Sequence, residues 1–263
     1  MTTEWDARAY HDRAAMQKWL ADEALPVIGF EGSERVLDVG CGDGRITAEI
    51  AAHVPRGSVL GVDASSAMIA FAKAHAAGPA HPNLSFEVGD ARKLGFHAAF
   101  DLVVSFNALH WVVEQGEALS GIHAALRPGG RAFLQLVPRT QRISLEDVIE
   151  RTRRSPRWAV HFAGQRAPFV HPTPEEFRGT ARRHHFTVER LEVHLRAWDF
   201  GSREAFAAFA RATFVEWTRS LPPGEVDTFV DDVLDAYGRT LHLEPGGVRV
   251  FHFDQLRVAL GRP

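Results

Sequence analysis

The chain has 263 residues, of which 45% are hydrophobic and 24% charged, and its formal net charge is −3. These values are typical of a globular protein with one large domain, and the near-neutral charge argues against nucleic acid as a partner. No apolar run approaches the ~20 residues of a membrane helix, and the charged N-terminal segment lacks the apolar core of a signal peptide. The single cysteine, Cys41, excludes an intramolecular disulfide, so we expect a cytoplasmic protein.

Helices and strands alternate over the first half of the chain. Residues 7–25 have helical spacing up to Pro26, which we expect to end one or two N-terminal helices. Buried strands are predicted at 35–40, 58–65, 84–91, 100–107 and 131–138, and helices at 45–53, 66–77 and 114–126, the last ended by the turn 127–130. This alternation predicts parallel strands joined by right-handed crossovers, in a sheet covered on both faces.

The pattern changes after Pro138. Residues 139–186 give no clear strand, 186–200 alternate as a half-exposed strand, 202–241 are helical with a break at 221–225, and 248–262 form a final strand. We therefore predict one α/β domain over residues 1–263. It has a cofactor-binding core at 30–138 and substrate-cap elements at 1–29, 139–185 and 201–247.

The stretch RVLDVGCGDG, residues 35–44, joins the first strand to a helix through three alternate glycines. Glycine lets a backbone approach a ligand closely, and the helix after such a turn directs free N–H groups at that ligand. The spacing is GxGxG rather than the GxGxxG of dinucleotide sites. Asp38 immediately before the turn would repel a pyrophosphate and suits a ligand with a cationic end.

Polar residues also follow the next three strands. Asp63 ends the second, Asp90 and Ala91 end the third, and Asn107 follows the fourth. The carboxyl ends of parallel strands meet at one edge of a sheet, so these residues are expected to surround one ligand, with Asp63 placed for ribose hydroxyls.

As a set, VLDVGCGDG, GVDASSAMI, FEVGDARKL, FDLVVSFNALHW and LRPGGRAFL resemble the class I S-adenosylmethionine-dependent methyltransferases. The resemblance implies a doubly wound, Rossmann-like sheet of seven mostly parallel strands with a reversed last strand. It also implies S-adenosylmethionine as cofactor and S-adenosylhomocysteine as product. The implied cofactor contacts are Asp38 near the methionine amino group, Gly40 and Gly42 along the methionine and ribose, Asp63 with Ala64 at the ribose hydroxyls, Met68, Asp90 and Ala91 at the adenine, and Asn107 at the methionine tail. Asp38 or Asp63 could instead cap the following helix, and Met68 could be core.

Two places supply groups that could hold a methyl acceptor. Tyr10 and Gln17 lie two turns apart on one helix face, and His110 and Trp111 follow the fourth strand. The pairing is similar to plant carboxyl methyltransferases and insect juvenile hormone acid methyltransferases, where a helix glutamine and a tryptophan grip the substrate carboxylate. ALHWV, residues 108–112, also resembles trans-aconitate methyltransferase. A carboxylate is already ionised at neutral pH and needs no base.

Other interpretations stay open. Gln17 could be a solvated helix residue, Trp111 could be core, and His110 could be a base or only line the pocket. The main hypothesis is O-methylation of a carboxylate on a small molecule by a monomer or homodimer. The alternatives are methylation of a hydroxyl, amine or carbon centre with His110 as base, a non-catalytic S-adenosylmethionine-binding protein, and a nicotinamide oxidoreductase. No His or Cys spacing suits a metal site.

Overall fold

The computed structural model describes residues 6–12, 14–244 and 246–263. Its seven strands are β1 Arg35–Val39, β2 Ser58–Asp63, β3 Leu84–Val88, β4 Phe100–Phe106, β5 Leu126–Leu136, β6 Thr187–Asp199 and β7 Val250–Gly261. They form one sheet in the order β3-β2-β1-β4-β5-β7-β6. The first five strands pair in parallel, and β7 runs antiparallel to β5. The predicted seven-stranded α/β sheet with a reversed last strand is confirmed.

The helices are α1 Ala7–His11, α2 Ala15–Ile28, α3 Arg45–His53, α4 Ser66–His75, α5 Gln115–Ala125, α6 Leu145–Arg153, α7 Pro174–Arg183, α8 Arg203–Thr213, α9 Val215–Thr218 and α10 Val226–Thr240. In the described part of the chain, no helix combines the length and apolarity that a membrane span requires.

Successive residues of the central strands face opposite layers of the core. Val36 on β1 belongs to a buried cluster with residues of α2 and α3, whereas its neighbour Leu37 belongs to a cluster with residues of α5. Both layers are apolar, and this is why the central strands read as nearly continuous hydrophobic runs. Burial of both faces fixes the register of the strands. In sheets of this kind, ligands bind at the carboxyl ends of the strands.

The chain divides into two compact units. The first comprises the residues up to Pro138 with Phe169–His194 and Gln255–Pro263, and the second comprises Arg139–Pro168 with Leu195–Asp254. In the second unit aromatic side chains pack on one another, for example Trp158 edge-on to Phe229 at 5.1 Å between ring centroids. The buried Glu150 accepts hydrogen bonds from the Trp217 indole N–H at 2.9 Å and from the buried Arg153 guanidinium at 2.7 Å. The second unit therefore has an apolar core of its own with a buried ion pair in it.

Three predicted element boundaries are wrong. β5 begins at Leu126, five residues before the predicted start, because Leu126 pairs with Phe100 across a bulge. The turn predicted at 127–130 is thus part of the strand. α2 continues through Pro26 and ends at Ile28, where Gly29 in the left-handed region (φ 69°) terminates it. β3 ends at Val88, so Asp90 does not end the strand but caps a short 3₁₀ turn at 91–93.

Candidate active site

The glycine loop of the first unit, residues 40–44, is tightly packed at Gly40 and has open space at Gly42. Gly40 (φ 78°) and Cys41 donate their backbone N–H groups to Val62 O at 2.8 and 3.1 Å. A Cβ at Gly40 would lie 2.2 Å from the Cβ of Ala108, whereas a Cβ at Gly42 (φ 54°) would meet only the Tyr10 ring, at 3.9 Å. Gly40 is therefore required for packing, and Gly42 leaves open space above the loop.

Asp38 is buried below this loop with half of its carboxylate unsatisfied. Its Oδ2 accepts a hydrogen bond from Thr47 Oγ1 at 2.7 Å, and its Oδ1 has no partner among the described residues. Burial raises the pKa of Asp38 to about 7, the Thr47 hydrogen bond opposes this, and the charge of Asp63 adds to the rise. The residue at the start of α3 is Gly44, without a side-chain cap. Asp38 is therefore no helix cap, and its free oxygen is suited to a cation.

Asp63 joins the second strand to the loop. Its Oδ2 accepts from the Gly42 N–H at 3.0 Å, and its Oδ1 accepts from the Ser65 N–H at 2.9 Å. Ser65 rather than Asp63 caps α4, since its hydroxyl accepts from Met68 N–H. Met68 is buried in the core and Ala64 is half-buried. Asp63 thus holds the glycine loop at the sheet edge.

Asp90 is engaged by a partner that sequence reasoning missed. Arg92 donates from Nε to both carboxylate oxygens at 3.0 Å and from Nη2 to Oδ2 at 2.6 Å, and its Nη1 contacts Glu114 at 3.2 Å. The Arg92 hydrogen bonds lower the pKa of Asp90 below its usual range. Arg92 is the middle residue of the 3₁₀ turn that begins at Ala91, and the signal for the contact was its spacing of two residues from Asp90.

A cleft of about 450 Å³, partly open to solvent, lies between the loop and the N-terminal helices. Its lining consists of Tyr10, Ala14, Gln17, Lys18, Asp38, Gly40, Cys41, Gly42, Asp43, Arg45, Ile46 and Phe106. The Oε1 atom of Gln17 is buried and has no hydrogen-bond partner among the described residues. Burial and the charges of Asp43 and Asp63 raise the pKa of the Tyr10 phenol far above its usual range. The two predicted helix residues therefore meet the predicted glycine loop in one cleft.

A polar contact anchors the N-terminal helices to the loop. His11 Nδ1 lies 2.7 Å from Asp43 Oδ2, and Arg45 Nη2 donates to His11 O at 2.7 Å. Asp43 is the last residue before the third glycine, and Arg45 begins α3. This anchor holds Tyr10, the preceding residue, above Gly42.

His110 and Trp111 lie in a 3₁₀ turn after β4 and are not among the residues that line the cleft. His110 is buried, and its Nδ1 has no hydrogen-bond partner among the described residues. Burial, and then the neighbouring His171, lower the pKa of His110 well below its usual range. The Trp111 ring contacts Phe169 edge-on at 6.5 Å. His110 is therefore a neutral imidazole at neutral pH.

Asn107 stands at the junction of β4 and the cleft. It adopts φ 54°, and its neighbours are Phe106, which lines the cleft, and Ala108, which abuts Gly40. Its Oδ1 accepts a hydrogen bond from Gln255 Nε2 on β7 at 3.4 Å. No prediction included Gln255, because a polar residue on a strand so far along the chain from the glycine loop gives no sequence signal for a site.

Cys41 sits inside the loop and is buried. Burial, followed by the charges of Asp38 and Asp63, raises the pKa of its thiol well above the usual range. Within the described residues, no cluster of three or more His, Cys, Asp or Glu side chains could hold a metal ion.

Comparison with known proteins gives a consistent result. Residues 36–130 match the family model described as "Methyltransferase domain". The chain is 25% identical over 235 residues to the provisionally named methyltransferase 235L of Invertebrate iridescent virus 6, covering 89% of this chain and 85% of the relative. It is 36% identical over 132 residues to trans-aconitate 2-methyltransferase of Deinococcus radiodurans, so this match spans about half of each protein, 50% and 49%.

The fold has solved counterparts. A crystal structure of a provisionally named methyltransferase from Bacillus halodurans C-125 superposes with a TM-score of 0.66 at 18% identity, covering 92% of this chain and 98% of that one. The fold, the strand order and the domain match agree with one another. Residues 36–130 are thus similar to the methyltransferase domain, and together with the fold this supports a class I S-adenosylmethionine-dependent methyltransferase.

Proposed function

We propose that the chain transfers a methyl group from S-adenosylmethionine to the carboxylate of a small molecule. The observation that carries the proposal is the buried Asp38 Oδ1, which has no hydrogen-bond partner among the described residues and lies in a cleft that the Gln17 amide also lines. A buried acceptor without a partner costs about 1–3 kcal/mol, so Asp38 Oδ1 marks a position where a ligand donor, such as an ammonium group, supplies the missing contact.

The residues present fit the donor. Asp38 offers a carboxylate oxygen to an ammonium group, Gly42 leaves the backbone open, and the carboxylate of Asp63 is proposed to accept from ribose hydroxyls. Ala64, Met68, Asp90, Ala91 and Asn107 are proposed to complete the site. When bound, the donor supplies a sulfonium-activated methyl group.

The chain's own residues position the acceptor and keep water away from it. Gln17 would donate its N–H₂ to an acceptor carboxylate, with the Tyr10 phenol beside it in the same cleft. Trp111, which is not among the lining residues of this cleft, is proposed as a further donor. Alignment of this kind can lower a barrier substantially without proton transfer. The neutral, low-pKa His110 is a weak base, which favours an acceptor that is already ionised. The name of the Deinococcus relative, a trans-aconitate 2-methyltransferase, points to the same acceptor class.

A second candidate function is methylation of a hydroxyl, amine or carbon centre. The free Nδ1 of the buried His110 favours it, since this atom can accept a proton. The two candidates separate by mutation: a held carboxylate predicts the larger loss of rate in Gln17→Ala, and a base mechanism predicts it in His110→Ala.

The direct test has two stages. Calorimetry with S-adenosylhomocysteine first establishes whether the cofactor site binds. A panel of small aliphatic and aromatic carboxylic acids, with matched alcohols and amines, is then incubated with deuterated S-adenosylmethionine and analysed by mass spectrometry. Methyl esters as the labelled products support the proposal, and labelled ethers or methylamines alone contradict it.

A further inference from the structure

Three side-chain amides follow one another through the buried part of the first unit. Gln135 on β5 donates from Nε2 to Gln255 Oε1 at 3.3 Å, and Gln255 donates from Nε2 to Asn107 Oδ1 at 3.4 Å. Gln135 and Gln255 are 0% and 1% exposed. Because water does not reach the two glutamines, their hydrogen-bond directions depend on one another.

The chain of amides ends at Asn107, which is next in sequence to a lining residue of the cleft. Asn107 is fixed by its backbone, whose N–H donates to Gln135 O at 2.9 Å. Its two sequence neighbours are a lining residue of the cleft, Phe106, and the residue packed on the glycine loop, Ala108. Reversed strand β7 thereby reaches a proposed cofactor contact through a single side chain.

An amide group has one oxygen acceptor and one N–H₂ donor, so the use of one decides which is left. With its Oδ1 occupied by Gln255, Asn107 keeps its N–H₂ for a ligand. We infer that Gln255 is a positioning residue that makes Asn107 present a hydrogen-bond donor to the carboxylate of the donor's methionine part. This inference rests on the proposed function, since it requires that the cleft binds S-adenosylmethionine and S-adenosylhomocysteine.

Gln255→Glu tests the direction of the amide chain. An ionised glutamate can only accept, so Asn107 would turn its N–H₂ toward position 255 and present its oxygen to the ligand carboxylate. A protonated glutamic acid can donate to Asn107 Oδ1 and restores the original direction. Burial raises the pKa of a carboxyl group, which brings this change into a pH range where the protein can be studied.

The measurement is the affinity for S-adenosylhomocysteine by calorimetry at pH 6 and pH 8.5. We expect Gln255→Glu to bind at least about tenfold more weakly than the natural protein at pH 8.5 and to approach it at pH 6. The natural protein itself is expected to bind S-adenosylhomocysteine more weakly at pH 6 than at pH 8.5, since Asp38 is protonated at the lower pH. A merely structural role of Gln255 would weaken binding equally at both pH values.

Control variants separate the outcomes. Gln165→Glu makes the same substitution at a glutamine of the second unit, whose Nε2 donates to Ser220 Oγ at 2.9 Å, and should leave affinity unchanged at both pH values. If Gln255→Glu does not fold, Gln255→Met decides: a loss of affinity of about fivefold or more supports the inference, and binding equal to the natural protein overturns it.

The inference and the proposed function fail in different ways. If the affinity of Gln255→Glu relative to that of the natural protein is the same at pH 6 and at pH 8.5, the inference is overturned and the proposed function is not. Absence of S-adenosylhomocysteine binding by the natural protein overturns the proposed function and the inference with it.

Discussion

Asp38 is the residue whose protonation matters most to the site. Its pKa of about 7 belongs to a carboxyl group that burial keeps partly neutral. An ammonium group beside Oδ1 favours the ionised form, so binding of the cofactor product near pH 7 should release a fraction of a proton. Calorimetry of S-adenosylhomocysteine binding in two buffers of different ionisation enthalpy measures this release. A binding enthalpy that does not depend on the buffer would contradict the assignment.

The same carboxyl group links stability to pH. Asp38 has a native pKa of about 7 against an ordinary value of 3.8, so the native state holds a proton that the unfolded chain has lost. Between these values this group makes the unfolding free energy fall as pH rises, by up to about 4 kcal/mol. Asp38→Asn removes the group. The difference in unfolding free energy, variant minus natural protein, should therefore rise from pH 4 to pH 7 and then level off.

Urea titrations across this pH range measure that difference. Asp12→Asn is the control, because Asp12 is an exposed partner of Arg8 at 3.7 Å and should give no such trend. The stabilised Asp38→Asn variant should also bind S-adenosylhomocysteine about 10–100-fold more weakly, because it lacks the charge that faces the ammonium group.

Two glycines of the loop should respond differently to alanine. Gly40→Ala places a Cβ 2.2 Å from that of Ala108 and should lower stability by about 2–4 kcal/mol, from overpacking and positive φ together. Gly42→Ala carries mainly the cost of positive φ, about 1–2 kcal/mol, yet its methyl group enters the open cleft. We expect Gly42→Ala to lose affinity for S-adenosylhomocysteine while it remains folded. Denaturant midpoints and calorimetry on both variants check this, and greater destabilisation by Gly42→Ala would be inconsistent with the packing.

Among the elements, α1 is held over the glycine loop by polar contacts of His11. The His11 ring contacts Asp43, and the His11 carbonyl accepts a hydrogen bond from Arg45. α2 is held separately by its buried apolar side chains and by the Lys18–Glu49 ion pair. His11→Ala should therefore raise hydrogen exchange of residues 7–12 at least about tenfold, since local opening becomes easier, and change the global denaturant midpoint little. It should raise the KM for S-adenosylmethionine more than it lowers kcat. Arg8→Ala, at an exposed position of the same helix, is the control.

The elements also show what sequence could and could not establish. The central strands were predictable because both faces of each are apolar, as at Val36 and Leu37. Helices α6 and α7 were not predicted, although the sequence at the start of each carries a capping signal. Ser144 with Asp147 and Thr173 with Glu176 form capping boxes at their starts.

Site prediction succeeded where residues adjoin the carboxyl ends of strands and failed where contacts join distant elements. Asp38 and Gly42 reach the cleft because β1 ends beside it. Tyr10 and Gln17 also line the cleft, but they lie on two helices, α1 and α2, so the prediction that both occupy one helix face is wrong. The hydrogen bond between Gln255 and Asn107 joins residues that are 148 positions apart in the chain. The contact depends on the order and register of the strands in the sheet, which the sequence does not reveal.

At the scale of the whole molecule, each unit has its own core, and this bears on unfolding. In the second unit, Glu150→Ala removes the carboxylate that pairs with Arg153, which is 3% exposed, and that accepts from the Trp217 indole N–H. Removing one partner of a buried ion pair costs about 3–5 kcal/mol. We expect this variant to unfold the second unit at lower denaturant concentration, observed through tryptophan fluorescence. Asp227→Ala, which removes an exposed partner of Arg211, should change the unfolding free energy by no more than about 1 kcal/mol.

The chain's single sulfur nucleophile lies at Cys41, within the glycine loop, where burial keeps it protonated. An alkylating reagent can modify it only when the loop opens far enough to expose and ionise it. The rate of alkylation therefore reports loop opening without any engineered label, and a ligand seated on the loop should slow it. Mass spectrometry, which detects the mass that one alkyl group adds to Cys41, can therefore follow occupancy of the cleft in the natural protein.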